Sequence, residues 1–271
     1  MKGPTMRRLI AALAALAISA VMFAAPAQAD GHIRIHLIHG IPGVDVDVEA
    51  NGANVFEGFS FGDTQDLSAF AGATLEGVKV KVAGTDTVAI DAGDVALPAD
   101  GNFTLIAHLD ADGTPTIGVF ENNESSTAAG EGRITVRHTA AAPAVDILAN
   151  GAVAFENVPN GAGGDADLPA GTISAEVVPT GTTEPVVIGP ADLPITEGAN
   201  LIVYAVGSLD DDSLTVLTES ITGLATPPAA VNTGNSPVDA AQSTNVVAIA
   251  GIVGIAMAAA VAVPAAARAR G

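Results

Sequence analysis

The sequence predicts an all-β protein: two tandem small antiparallel β-sandwich domains, immunoglobulin-like in type, between a signal peptide and one C-terminal transmembrane helix. Three observations lead there. Apolar and polar residues alternate with a period of two through the middle of the chain, the pattern of half-buried strands. Residues 34–121 and 133–219 repeat each other. Long uncharged apolar runs stand at the two ends, and no amphipathic helical pattern appears between them.

The elements follow in order. Residues 1–29 read as a signal peptide: Lys2, Arg7 and Arg8 form a basic start, Leu9 to Ala25 is apolar, and Ala27-Gln28-Ala29 has the small-x-small form of a cleavage site. Cleavage there leaves Asp30 as the mature N-terminus; the alternative is an uncleaved anchor helix. Residues 30–122 form the first repeat. Ile33, Ile35 and Leu37 alternate with Arg34 and His36, Val44, Val46 and Val48 with Asp45, Asp47 and Glu49, and Val78, Val80 and Val82 with Lys79 and Lys81. Asn51-Gly52 is a hairpin turn, since both residues tolerate positive φ. A short polar linker, 123–130, leads to the second repeat, 131–221, where Ile134 and Val136 alternate with Arg133, Thr135 and Arg137 and Asn150-Gly151 is the matching turn. Pro and Gly interrupt the chain every eight to twelve residues, so seven or so short strands fill each ~90-residue unit.

Residues 222–244 hold Pro227, Pro228 and Pro237 among Gly, Asn and Ser and read as a flexible stalk. The run 245–267 is uncharged, and its last 22 residues span about 33 Å as a helix, enough for a ~30 Å hydrocarbon core. Arg268 and Arg270 place the tail 268–271 on the cytoplasmic side. The expected address is a single-pass cell-membrane protein with its N-terminal domains outside. Cell-wall attachment is the alternative, although only Asn232-Thr233-Gly234 echoes a sorting motif.

Charge and composition narrow the chemistry. The chain has 271 residues, no Cys and a net charge of −20. No disulfide, thiolate metal site or cysteine nucleophile is possible, and an acidic chain repels nucleic acid. All 30 Asp and Glu lie between positions 30 and 244, against five basic residues there, so the exported part is at −25. Such a surface stays soluble and gathers cations.

The repeat is carried by ordered matches: Arg34 with Arg133, His39 with His138, Pro42 to Val46 with Pro143 to Ile147, Asn51-Gly52 with Asn150-Gly151, Phe56-Glu57 with Phe155-Glu156, and Leu97-Pro98 with Leu193-Pro194. The stretch from Arg133 to Gly181, with Arg133, His138, Pro143, Val145, Asp146, Asn150-Gly151 and Leu168-Pro169-Ala170-Gly171, closely resembles domain of unknown function 4397. The first unit is a looser copy and has Ser68-Ala69-Phe70-Ala71-Gly72 in place of the Leu-Pro-Ala-Gly step. The resemblance implies two tandem copies in a bacterial or archaeal envelope protein and no assigned activity.

Few residues point to chemistry. A mature Asp30-Gly31-His32 start offers an α-amine, two amides and an imidazole, a square-planar set suited to Cu(II) or Ni(II). Asp110 and Asp112 form one acidic turn and Asp210 and Asp212 its counterpart, with calcium as the candidate ligand and plain hairpin turns as the alternative. His39 and His138 recur beside Pro and Asp and are expected to hydrogen-bond a loop backbone; Asp45 and Asp146 are paired across the repeats. Motifs for a hydrolase triad or a zinc protease are absent from the sequence. The expectation is therefore a non-enzymatic envelope protein with no catalytic residue and no obligatory cofactor. It displays two acidic domains for binding, adhesion or spacing, and its partner is an envelope polymer or surface protein. A metal-handling module is the alternative.

Overall fold

Sixteen strands and no α-helix build residues 33–226, the part of the chain that this computed structural model describes. The expected signal peptide, the Asp30-Gly31-His32 start, most of the stalk, and the transmembrane helix and tail lie outside the described residues. Among the described residues no helix is long and apolar enough to cross a membrane.

The first half runs β1 (Arg34–His39), β2 (Val46–Ala50), β3 (Ala53–Phe59), β4 (Thr64–Asp66), a 3-10 turn (Ser68–Phe70), β5 (Thr74–Val82), β6 (Val88–Ala96), β7 (Asn102–Leu109) and β8 (Pro115–Glu121). The second runs β9 (Glu131–His138), β10 (Val145–Ala149), β11 (Ala152–Val158), β12 (Gly163–Pro169), β13 (Gly171–Pro179), β14 (Ile188–Ile195), β15 (Ala199–Val206) and β16 (Thr215–Thr222). The sheets have the orders β3-β2-β5-β6 and β4-β1-β7-β8 in the first half, and β11-β10-β13-β14 and β12-β9-β15-β16 in the second. One strand order thus occurs twice, with eight strands per half.

Each half is a small sandwich. Ile35 and Leu37 on β1 and Leu105 on β7 meet Val46, Val48 and Val80 of the opposite sheet in one core. Ile134, Val136 and Val203 meet Val145, Ile147 and Ile173 in the other. The two-residue alternation selects these faces, because successive side chains leave opposite sides of a strand. The Asn-Gly turns form as expected, with φ of 54° and 75° at Asn51 and Gly52 and 51° and 79° at Asn150 and Gly151. The Asn side chains stitch the turns to the next strand: Asn51 Oδ1 accepts from the Glu76 amide at 2.9 Å and Asn150 Oδ1 from the Ser174 amide at 3.0 Å.

The wholly antiparallel, immunoglobulin-like expectation is corrected. β1 runs parallel to β7, with Ile38 opposite Ile106, and β9 runs parallel to β15, with Val136 opposite Val203. The crossing to the other sheet explains this: after β6 the chain returns at the end where β1 begins, and the Arg34 amide donates to Gly101 O at 2.9 Å. Both strands are then entered in one direction, as a crossover connection requires.

The halves are also joined more closely than a linker between separate domains implies. They are not two beads on a linker: the described residues, 33–226, cluster as one compact unit. The inner sheets, β4-β1-β7-β8 and β12-β9-β15-β16, face one another. Ile38 and Ile106 from the first pack with Ile202, Tyr204, Val206 and Ile221 from the second. The central inner strands are therefore buried on both faces rather than half-buried, and even Arg133 and Arg137 are only 4% and 3% exposed. The linker is part of this body, since Thr127 pairs with Ala225 and its amide donates to Leu224 O at 2.8 Å. Residues 222–226, expected to open the stalk, belong to the folded body too: Thr222 ends β16 and Leu224 is buried in the seam.

Because the seam is shared, the halves should melt together. Ile106→Ala removes a fully buried first-half side chain and should cost about 2–5 kcal/mol, on the order of 10 °C in Tm for a body of this size. Calorimetry should show one transition shifted as a whole; a second-half transition left at its original temperature would refute the shared core.

Candidate functional site

The residues singled out by sequence fall in separate places. His39 and His138 do what was expected: each donates its Nε2–H to a loop carbonyl, Val44 O at 2.7 Å and Pro143 O at 3.0 Å. The pairing of Asp45 with Asp146 is corrected. Asp146 accepts from the amides of Asn157 and Gly181 at 2.7 and 2.8 Å. In the first half the residue at that position is Asp47, which accepts from Gly58 and Gly84 at 2.8 and 2.9 Å. Each carboxylate clamps a bulge to a turn, and these amides hold both carboxyls below the ordinary 3.8. In the Val-Asp-Val-Asp-Val run a shift of two residues preserves every side chain's face, so alternation alone cannot choose between the two aspartates.

In the acidic turns, Asp110 Oδ1 accepts from the amides of Asp112 and Thr114 at 2.9 and 2.8 Å and so closes its own loop. Asp112, Asp210 and Asp212 are exposed. Among the described residues no three His, Asp or Glu side chains converge on a common point as metal ligands.

The chemistry-bearing residues that do converge lie in the seam between the inner sheets. Glu219 on β16 is reached from both halves: His36 Nδ1 at 2.5 Å and Thr104 Oγ1 at 2.9 Å from the first, the Tyr204 hydroxyl at 3.1 Å from the second. Arg137 donates to Tyr204 Oη at 2.6 Å, to Asn122 Oδ1 at 2.6 Å and to Glu121 O at 3.0 Å. Its guanidinium lies 4.7 Å from the centroid of Phe120 and 5.2 Å from that of Tyr204. Asn122 donates on to Asn102 and Thr104 at 2.7 and 3.1 Å. At the linker, Arg133 makes a two-point contact with Asp167 at 2.7 and 3.0 Å and donates to Ser125 O at 3.0 Å.

Burial governs the electrostatics here. Tyr204 is fully buried, which pushes its phenol well above the ordinary value against the pull of Arg137. Burial likewise pulls Arg137 down, while the dipole and charge of Tyr204 and Glu219 support its cation. A buried cation and carboxylate persist only when their hydrogen-bonding groups are matched; here Arg137 is matched by Tyr204, Asn122 and Glu121, and Glu219 by His36, Thr104 and Tyr204. The arrangement holds two sheets in register and leaves no free nucleophile or base facing solvent at Tyr204 or Arg137. Sequence inspection missed Tyr204, Glu219 and Arg137 as a group because Arg137 sits on the polar side of alternating β9, where water is the default partner, while Tyr204 and Glu219 stand in strands without a clean alternation.

A family model for a domain of unknown function (DUF4397) matches residues 33–148, which run from the start of β1 through most of β10. A search of curated proteins finds no relative of this chain.

Arg137→Met should destabilise the body by on the order of 3 kcal/mol, because it strips Tyr204 Oη, Asn122 Oδ1 and Glu121 O of a charged donor in a buried place. Chemical denaturation measures it, and a loss below ~1 kcal/mol would show the seam to be incidental.

Stability should also depend on pH in two stages. Burial holds His108 and His138 below the ordinary 6.5. The folded state thus binds these protons, and those of Asp47 and Asp146, less readily than the unfolded chain does. The histidine contribution is complete above about pH 6.5 and is lost as pH falls below it; the carboxylate contribution is lost below about 3.8. Urea midpoints should fall from about pH 7 to 5 and again below 4. His138→Gln, which keeps a donor for Pro143 O, should flatten the first stage; an unchanged slope would remove His138 from the account.

Proposed function

We propose that the chain is a non-enzymatic envelope protein that displays two acidic β-sandwich repeats, as one rigid body, for binding or spacing outside the cell. The observation that carries this reading is the seam: Arg137, Tyr204, Glu219 and Asn122 are spent on joining the halves. A rigid two-sandwich body is suited to holding a surface at a distance, since it has no hinge at 123–130 to absorb the displacement. The recurring strand order supports reading the second half as a further copy of the domain whose family model matches residues 33–148. Export rests on the leader at 1–29, and anchoring on the apolar run 245–267 followed by Arg268 and Arg270. The partner is an envelope polymer or another surface protein, and the acidic surface disfavours nucleic acid.

Cell fractionation with protease treatment of intact cells tests the placement. The protein should enter the membrane fraction with Asp30 first, be cleaved by external protease, and appear in the medium when residues 245–271 are deleted. Recovery in the cytoplasm with residues 1–29 attached would end the reading.

A further inference from the structure

The two sandwiches share a strand order but not an interior. Between the sheets of the second lies a small gap of about 70 Å³. Between those of the first lies an apolar cavity of about 300 Å³. Its walls come from both sheets, with Val48 and Val80 on one side and Leu105 and Ala107 on the other. Four of its lining residues are exposed and mark the mouth: Asn51, Val55, Asp66 and Phe70, the two apolar ones 46% and 49% exposed.

Two departures from the second repeat account for the opening. The β5–β6 ladder slips register at three places, with Gly77 and Gly93 at φ of 57° and 61°, whereas the β13–β14 ladder slips once. Such bulges bend a strand away from its neighbour. At the end of β4, the first repeat inserts the 3-10 turn Ser68–Phe70, where the second passes from Leu168 through Pro169 alone to Ala170. The inserted turn carries Phe70 to the mouth. Asp66 anchors it by accepting from the Ser68 amide at 2.8 Å, while Ser68 Oγ accepts from the Ile35 amide at 3.0 Å. An empty apolar cavity of this size is destabilising in proportion to its volume, and half-exposed Phe and Val at its entrance add apolar surface in water. A bound apolar molecule relieves both.

We propose that the first sandwich is a binding site for a free small apolar molecule of about ten carbons, neutral or cationic at its polar end. The size follows from volume: a cavity of ~150 Å³ holds one benzene, so about 300 Å³ holds a bicyclic body or a short chain, well short of a membrane lipid's acyl chain. The charge preference follows from the mouth, where Asp66 is the ionisable group and Asn51 the neutral one, on a chain of net charge −20. An anionic head meets repulsion there, and an alcohol or ammonium finds hydrogen-bond acceptors.

Fluorescence titration of the full chain tests this with three naphthalenes that share one body: 2-naphthol, 2-naphthylmethylammonium and 2-naphthoate. The first two should bind saturably, one per chain, and naphthoate at least tenfold more weakly. Ala50→Phe, which fills the cavity beside the mouth, should abolish saturable binding. Phe70→Asp changes only an exposed side chain, so it folds whatever becomes of the first variant, and should weaken naphthol binding at least tenfold. Val153→Asp, at an exposed valine of the second repeat, should leave it unchanged. Absence of saturable binding, binding that Phe70→Asp does not weaken, or equal affinity for all three probes would each overturn the proposal. None of these outcomes bears on export or anchoring, so the proposal fails separately from the envelope reading.

Discussion

Glu219 is the point at which the two halves of this protein meet chemically. Its carboxylate is shared by His36 and Thr104 from one half and Tyr204 from the other, and Tyr204 in turn positions Arg137. A carboxylate and a guanidinium withdrawn from water are costly unless their hydrogen bonds are replaced with good geometry. The replacement here uses groups from β1, β7, β9, β15 and β16, so it exists only when both inner sheets are formed and apposed. The apolar half of the seam, with Ile106 and Ile202 fully buried, supplies non-directional attraction; the polar half supplies the register. Sheets that could slide over a greasy contact are held by bonds that tolerate one arrangement.

Within each half a second constraint recurs. Asp47 and Asp146 each gather two amides, one from a bulge at the end of the neighbouring strand and one from the turn after the next. These amides have no ladder partner, and the carboxylate gives them one that also ties the bulge to the turn. One carboxylate thus satisfies two defects that the curvature of the outer sheet creates. The clamp is common to both halves, whereas Arg133 and Arg137 are seam residues of the second alone; Arg34, the repeat partner of Arg133, is exposed. The halves have divided their roles: the second contributes the cations that lock the pair, and the first keeps the looser interior and the inserted turn at its mouth.

Much of this was readable in the residue order. Alternation at Ile35 and Leu37 and at Ile134 and Val136 named the core faces, Asn51-Gly52 and Asn150-Gly151 named two hairpins, and the ordered matches between the halves announced a duplicated strand order. The substitution of Ser68-Ala69-Phe70 for the single Pro169 stood in the alignment as well, and marks the place where the first sandwich opens. These signals are local: each depends on backbone geometry within a few residues, and period, turn chemistry and length are properties of a short stretch of chain.

What only the tertiary structure decided is the fate of the other face. Thr104 stands between apolar neighbours and Glu219 between Thr218 and Ser220; Arg137 shares its side of β9 with Arg133 and Thr135, as solvent-facing residues do. No property of a single strand distinguishes a polar side chain that meets water from one that meets a second sheet. The same blindness let Asp45 stand where Asp47 belongs, since a strand displaced by two residues keeps all its faces. The parallel pairing of β1 with β7 and the incorporation of 123–130 and 222–226 into the folded body likewise depend on contacts between residues far apart in the chain. Sequence by itself determined which residues form strands and which side of each strand is apolar, because those follow from backbone period; the partners of the polar side, and with them the union of two sandwiches into one body, required the fold, because burial is a property of the assembled sheets.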